Sequence, residues 1–157
     1  MGAAVTTLLN GPLEVGLRIL VILETEFPRA LNVDELLVLD HVSLHSSDFG
    51  GPDSLHPALP LRSADVGARR DAIRHGIELL IHRGLATADF DGDGISFVAG
   101  EMSHSVIALL ESPYLKVFQE RVRWTSAKNL IETPEELRER LGAIVRSWPE
   151  IASQEAE

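Results

Sequence analysis

The chain has 157 residues, 45% of them hydrophobic and 24% charged, with a formal net charge of -10. That length supports one hydrophobic core, and the ordinary apolar fraction excludes general disorder. The lack of cysteine excludes disulfides, thiolate metal sites and cysteine nucleophiles, and the acidic balance argues against a free-standing nucleic-acid binder, whose affinity rests on neutralising phosphates.

Asn10-Gly11-Pro12 reads as a helix start, with Asn as cap and Pro in the first turn. Leu13, Leu17, Leu20, Val21 and Leu23 then recur at near-helical spacing, widened by Ile19 and Ile22. Glu14, Arg18 and Glu26 are expected outside, and the helix should stop before Pro28. The apolar run around Leu17 to Leu23, broken by Arg18, is too short to cross a bilayer. No cationic leader precedes an apolar stretch, so a cytoplasmic protein without membrane partners is the expectation.

A second helix is predicted from the cap Asn32, with Asp34 and Glu35 in its first turn, where the helix dipole favours acids. Leu36, Leu37, Leu39, Val42 and Leu44 supply its apolar face. The stretch from Ser46 to Pro60 has no helical period and is rich in Gly, Pro, Ser and Asp. Loops of that length are uncommon in compact domains and often functional.

A third helix is predicted from Ser63 to about Arg83, with Val66, Ile73, Ile77, Leu80 and Ile81 buried and Gly84 ending it. Its other side is basic, carrying Arg62, Arg69, Arg70, Arg74 and Arg83. Leu85 to Ala88 and Ile95 to Val98 flank Asp91-Gly92-Asp93-Gly94, a strong hairpin signal. A fourth helix is predicted over about Met102 to Glu111, and Ser112-Pro113 opens a fifth from Tyr114 to about Ser126. Thr133-Pro134-Glu135-Glu136 opens a last one through Leu137, Leu141, Ile144 and Val145 to Trp148-Pro149. The fold class that follows is mainly α (α+β), a winged-helix-like domain with one β-hairpin wing and additional C-terminal helices. Its expected divisions are a domain over 1–125, a helical extension over 126–150 and a frayed tail over 151–157.

Candidate chemistry is sparse. Asp89, Asp91 and Asp93 followed by Gly94 copy the opening of a calcium loop, but position twelve is Gly100, with Glu101 one residue late. The plain alternative is a wing turn with solvated acids. His41 and His45 share a helix face, as metal-binding pairs do, and Asp48 and His56 are available beside them. Val42 stands where a zinc peptidase would carry Glu, and solvated or hydrogen-bonded histidines are the favoured reading. No nucleophile elbow accompanies Ser46, and Gly50-Gly51-Pro52 lacks the ending of a phosphate loop. The expectation is no catalytic residue, no metal and no cofactor.

Arg69, Arg70 and Arg74 admit three readings: a DNA-reading helix, a docking face for an acidic partner, or a solvated face with pairs such as Arg74 with Glu78. The net charge favours the last two. Tyr114, Phe118 and Trp124 either complete the core or face a partner, the core being favoured.

Three stretches carry a family likeness. They are Asn10 to Leu20; Leu39-Asp40 with His45 through Pro57 and on to Ser63; and Gly76 to Ile81 with Arg83-Gly84-Leu85. Over about the first 125 residues the chain resembles the middle component, second type, of ABC-three component systems, the group that includes the Lamassu anti-phage and anti-plasmid systems. The resemblance implies a small non-catalytic adaptor between an SMC-like ABC ATPase and an effector, often a nuclease, touching DNA weakly or indirectly. The alternative is a winged-helix transcription regulator binding DNA through its third helix. The expected partner contact is the loop, through His45, Asp48, Phe49, Gly50, Gly51, Pro52, Ser54, Leu55, His56, Pro57 and Arg62. Its glycines and prolines allow a shape set before binding. Alternatively, the loop folds back and caps the core, with Leu55 and Leu59 inside.

Overall fold

The computed structural model describes residues 11–56, 63–92, 94–128 and 135–143. Helix α1 spans Pro12–Glu26. Gly11 occupies its cap position without a side-chain hydrogen bond, and Pro12 supplies the first helical residue. The expected cap, Asn10, lies outside the described residues.

Helix α1 is the centre of the molecule. Val15, Gly16 and every residue from Arg18 to Leu23 are buried, because α2, α3, α4, α5 and the hairpin all pack on it. Leu13, assigned to its apolar face, is instead 58% exposed. Arg18 reverses the expectation in the other direction. It was expected outside, yet only 2% of it is accessible, because the helix is covered on nearly all sides.

Leu31 follows as an isolated bridge, exchanging both backbone hydrogen bonds with Phe97. Helix α2, Val33–Leu44, begins with a complete capping box, in which Asn32 Oδ1 accepts from the Glu35 amide at 2.8 Å and Glu35 reaches back to the Asn32 amide. A 3-10 turn over Ser46–Phe49 leads into the loop.

Helix α3, Ser63–His82, buries Ile73, Ile77 and Leu80 as predicted, while Ile81 is 39% exposed. Val66, assigned to the same stripe, lies outside the described side chains. The helix ends as its sequence requires. Gly84 has φ 71°, its amide donates to Ile81 and the Leu85 amide donates to Leu80. Helices α1 and α3 cross where Gly16 meets Gly76, and a Cβ on Gly76 would sit 3.1 Å from the Gly16 nitrogen.

Strands β1 (Ala86–Asp91) and β2 (Gly94–Ala99) form an antiparallel hairpin in the register Ala86↔Ala99 through Phe90↔Ile95. Ala86 and Ala99 are buried at its base, whereas Phe90 and Ile95 near the turn are exposed. Helix α4, Ser103–Leu109, is shorter than predicted. Helix α5, Pro113–Ala127, is capped by Ser112 and buries Leu115, Phe118, Val122 and Thr125 against α1 and α2. Residues 135–143 form a further helix, α6, which buries Leu137. Ile144, Val145 and Trp148, assigned to the same helix, lie outside the described residues, as does the tail 151–157.

The chain is thus mainly helical with one two-stranded antiparallel hairpin. No helix among the described residues is long and apolar enough to cross a membrane.

Candidate functional site

The polar residues of this protein converge where α1, α2, α5 and the loop meet. The floor is a two-point ion pair. Arg18 Nε donates to Asp40 Oδ1 at 2.8 Å, and Nη2 donates to Oδ2 at 3.2 Å. Both side chains are almost wholly buried. Burial opposes ionisation of Asp40, but the Arg18 charge and hydrogen bond outweigh it and hold the carboxyl below its ordinary range. The Tyr114 hydroxyl joins this pair through a hydrogen bond with Arg18. It also lies 2.9 Å from His56 Nε2, and the two rings stack.

Three histidines surround the pair. His41 on α2 and His45 at its C-cap have ring centroids 4.8 Å apart. The His56 ring stands edge-on to His45 at 6.3 Å. Arg69 of α3 approaches His41, with Nη1 3.1 Å from Nδ1. Arginine can only donate, so Nδ1 accepts and that ring is neutral. Desolvation, with Arg69 and His45 nearby, lowers the His41 pKa to about 3, against a weaker pull from Asp40. Desolvation and Arg18 lower that of His56 to about 4. Desolvation and Arg69 also lower His45. All three are uncharged at neutral pH.

The loop is fastened over this cluster. The amides of Leu55 and His56 both donate to the Leu44 carbonyl. The Ser46 hydroxyl donates to the Pro52 carbonyl at 2.8 Å, the Gly51 amide returns to the Ser46 carbonyl, and the Ser47 and Ser54 hydroxyls bond each other. Gly50 turns the chain at φ 76°, a conformation that favours glycine. Gly51 lies directly beneath the Trp124 ring, where a Cβ would come within 2.5 Å of ring carbons. Arg121 Nε donates to the Asp53 carbonyl at 3.1 Å.

Among the expected contact residues, His45 and His56 are therefore buried inside the chain. Phe49, Gly51, Ser54 and Leu55 are half-buried, while Asp48, Gly50 and Pro52 are exposed. Pro57 and Arg62 lie outside the described residues, as does Leu59. Phe49 and His41 meet edge to face, with ring centroids 6.0 Å apart. The arginines of α3 are directed at this chain's own groups: Arg69 at His41, Arg70 at Asp34 (2.6 Å) and Arg74 at Asp71 (3.5 Å) rather than at Glu78.

Sequence reasoning missed Arg18, Asp40 and Tyr114 as parts of one network. The available signal was Asp40 inside the otherwise apolar run Leu36 to Leu44, since a buried carboxylate requires a cation. Among the described residues, no group of His, Asp and Glu side chains is placed to hold a metal ion. Asp89 and Asp91 alternate along β1, so the calcium-like stretch is a hairpin there, while Asp93 lies outside the described residues. Chemically, the cluster is a set of neutral rings around a satisfied ion pair, and its evident work is to hold the loop in one shape.

No curated protein and no solved structure matches the chain. The family model described as ABC-three component (ABC-3C) system Middle Component 2 matches residues 8–150, so the chain belongs to that family of middle components.

Proposed function

We propose that this chain is a non-catalytic adaptor that couples an SMC-like ABC ATPase to an effector, often a nuclease, in a Lamassu-like defence complex. The observation that carries the reading is the preshaped loop. Over residues 46–56 the Ser46 and His56 side chains are spent inside the chain, and Asp48, Gly50 and Pro52 remain on the surface of a segment whose backbone is already tied at Leu44, Ser46 and Arg121. A surface fixed before binding loses little entropy on association, which suits a coupling subunit. On this reading His45 and His56 support the contact from within, and Asp48 with its exposed neighbours makes it.

The second reading, a winged-helix regulator, draws on the order helix, bridge, helix, helix, hairpin. It is weakened because Arg69, Arg70 and Arg74 each face a group of the same chain.

Co-expression with the ATPase and effector subunits of its own system tests the proposal. The chain should co-purify with them, and Asp48→Arg should release a partner without altering the melting temperature. Purified alone, it should bind DNA weakly in a gel shift at physiological salt. Tight sequence-specific binding lost in Arg74→Ala, together with no co-purification, would replace the adaptor reading with the regulator.

A further inference from the structure

A groove of about 330 Å³ runs between α4 and α5. Ile107, Ala108, Leu110 and Leu115 are its apolar lining. Lys116 and Arg123 lie along the α5 wall with Gln119 between them. They are seven residues apart, so about 10 Å separates them along the helix axis. Neither is held in an ion pair among the described residues. His104, on the α4 side, is bonded to Glu24, and Glu111 is the acid in the lining. In a chain with 24 acidic and 14 basic residues, this lining carries two cations against one acid. It is also separate from the loop. Tyr114, Arg121 and Trp124 meet the loop on one side of α5, and the helical period places Lys116, Gln119 and Arg123 on the opposite side.

We infer that this groove receives a helix of a partner subunit, one that carries acidic residues two turns apart with apolar residues between them. Apolar side chains of that helix enter between Ile107 and Leu115, and its acids meet Lys116 and Arg123. The spacing of the two cations matches two turns of a helix lying along α5, so charge sets register while apolar contact supplies affinity. The inference rests on the adaptor reading and deepens it: α5 holds the loop on one side and a second partner element on the other.

The test uses the full chain co-expressed with the ATPase and effector subunits of its own system. A photo-crosslinking residue at Gln119 should join a partner peptide that is acidic and amphipathic. Lys116→Glu with Arg123→Glu should weaken assembly about tenfold or more, and high salt should weaken the wild type in the same direction. Lys116→Gln with Arg123→Gln, less disturbing to the helix, should show an intermediate loss at an unchanged melting temperature. Crosslinks to residues 144–157 of the same chain, to a second copy, or to no protein overturn the inference, as does full assembly of the charge-reversed variant. If the wild type joins no complex, the adaptor reading itself fails. If it assembles and the groove variants assemble equally well, only the groove assignment fails.

Discussion

Arg18 and Asp40 form a pair whose members depend on each other. Replacing Arg18 with Met keeps the aliphatic stem of the side chain but strands a buried carboxylate, and breaking a buried pair in this way costs about 3–5 kcal/mol. Replacing both, as Arg18→Met with Asp40→Leu, removes the stranded charge and should recover most of that loss. Urea unfolding of the two single variants and the double variant measures the coupling. The histidines add a pH dependence whose sign is fixed. Their folded pKa values are depressed, to about 3 for His41 and about 4 for His56, from an ordinary 6.5. The unfolded chain therefore binds more protons as pH falls below 6.5. Stability is complete above that value and should decline by about 1.4 kcal/mol per pH unit for each histidine between 6.5 and the folded value. Replacing His41 with Phe should flatten the midpoint-against-pH curve in that window; an unaltered slope would count against burial of the ring.

At the scale of elements, two glycines set how closely parts approach. Gly76→Ala places a Cβ 3.1 Å from the Gly16 nitrogen and 3.2 Å from its Cα, both backbone atoms of α1 that cannot turn aside. Despite the better helix propensity of Ala, this variant should be destabilised by about 1–3 kcal/mol, measured by thermal or urea unfolding. Boundaries of this kind were readable from sequence where one residue decides them. The Asn32 cap, the Gly84 terminator and the Asp-Gly hairpin each came out as local chemistry dictates. The Gly16–Gly76 contact was not readable, because it depends on which helix faces which. Arg18 was misplaced for a related reason: helical spacing shows which residues share a face, but not that the middle of a central helix, here Arg18 to Leu23, is covered on every side.

For the whole molecule, the order of helices and hairpin followed from the sequence, and so did the identity of the distinctive loop. What the loop touches did not, since the Tyr114 and Trp124 contacts join segments far apart in the chain. Folding back over the core and offering a surface were posed as alternatives. Over residues 46–56 the loop does fold back, with Leu55 and His56 tied to Leu44, and that same packing leaves Asp48 and Pro52 outside in a fixed arrangement. Gly51→Val, which drives side-chain atoms into the Trp124 ring, should disturb that arrangement while leaving the α1–α3 crossing intact. Limited proteolysis checks this: cleavage should appear within 47–56 and not within α1 or α3.

The indole of Trp124 over Gly51 has an optical consequence. The chain has two tryptophans, Trp124 and Trp148. A Trp148→Phe variant would therefore emit from one indole alone, seated on the loop and next to the Lys128 ammonium at 5.7 Å. Its emission wavelength and quenching by iodide become a running report of whether the loop is seated. A partner that lifts the loop should shift the emission to the red and open the indole to quencher, whereas one that clamps it down should do the reverse. Binding could then be followed in real time without attaching a dye.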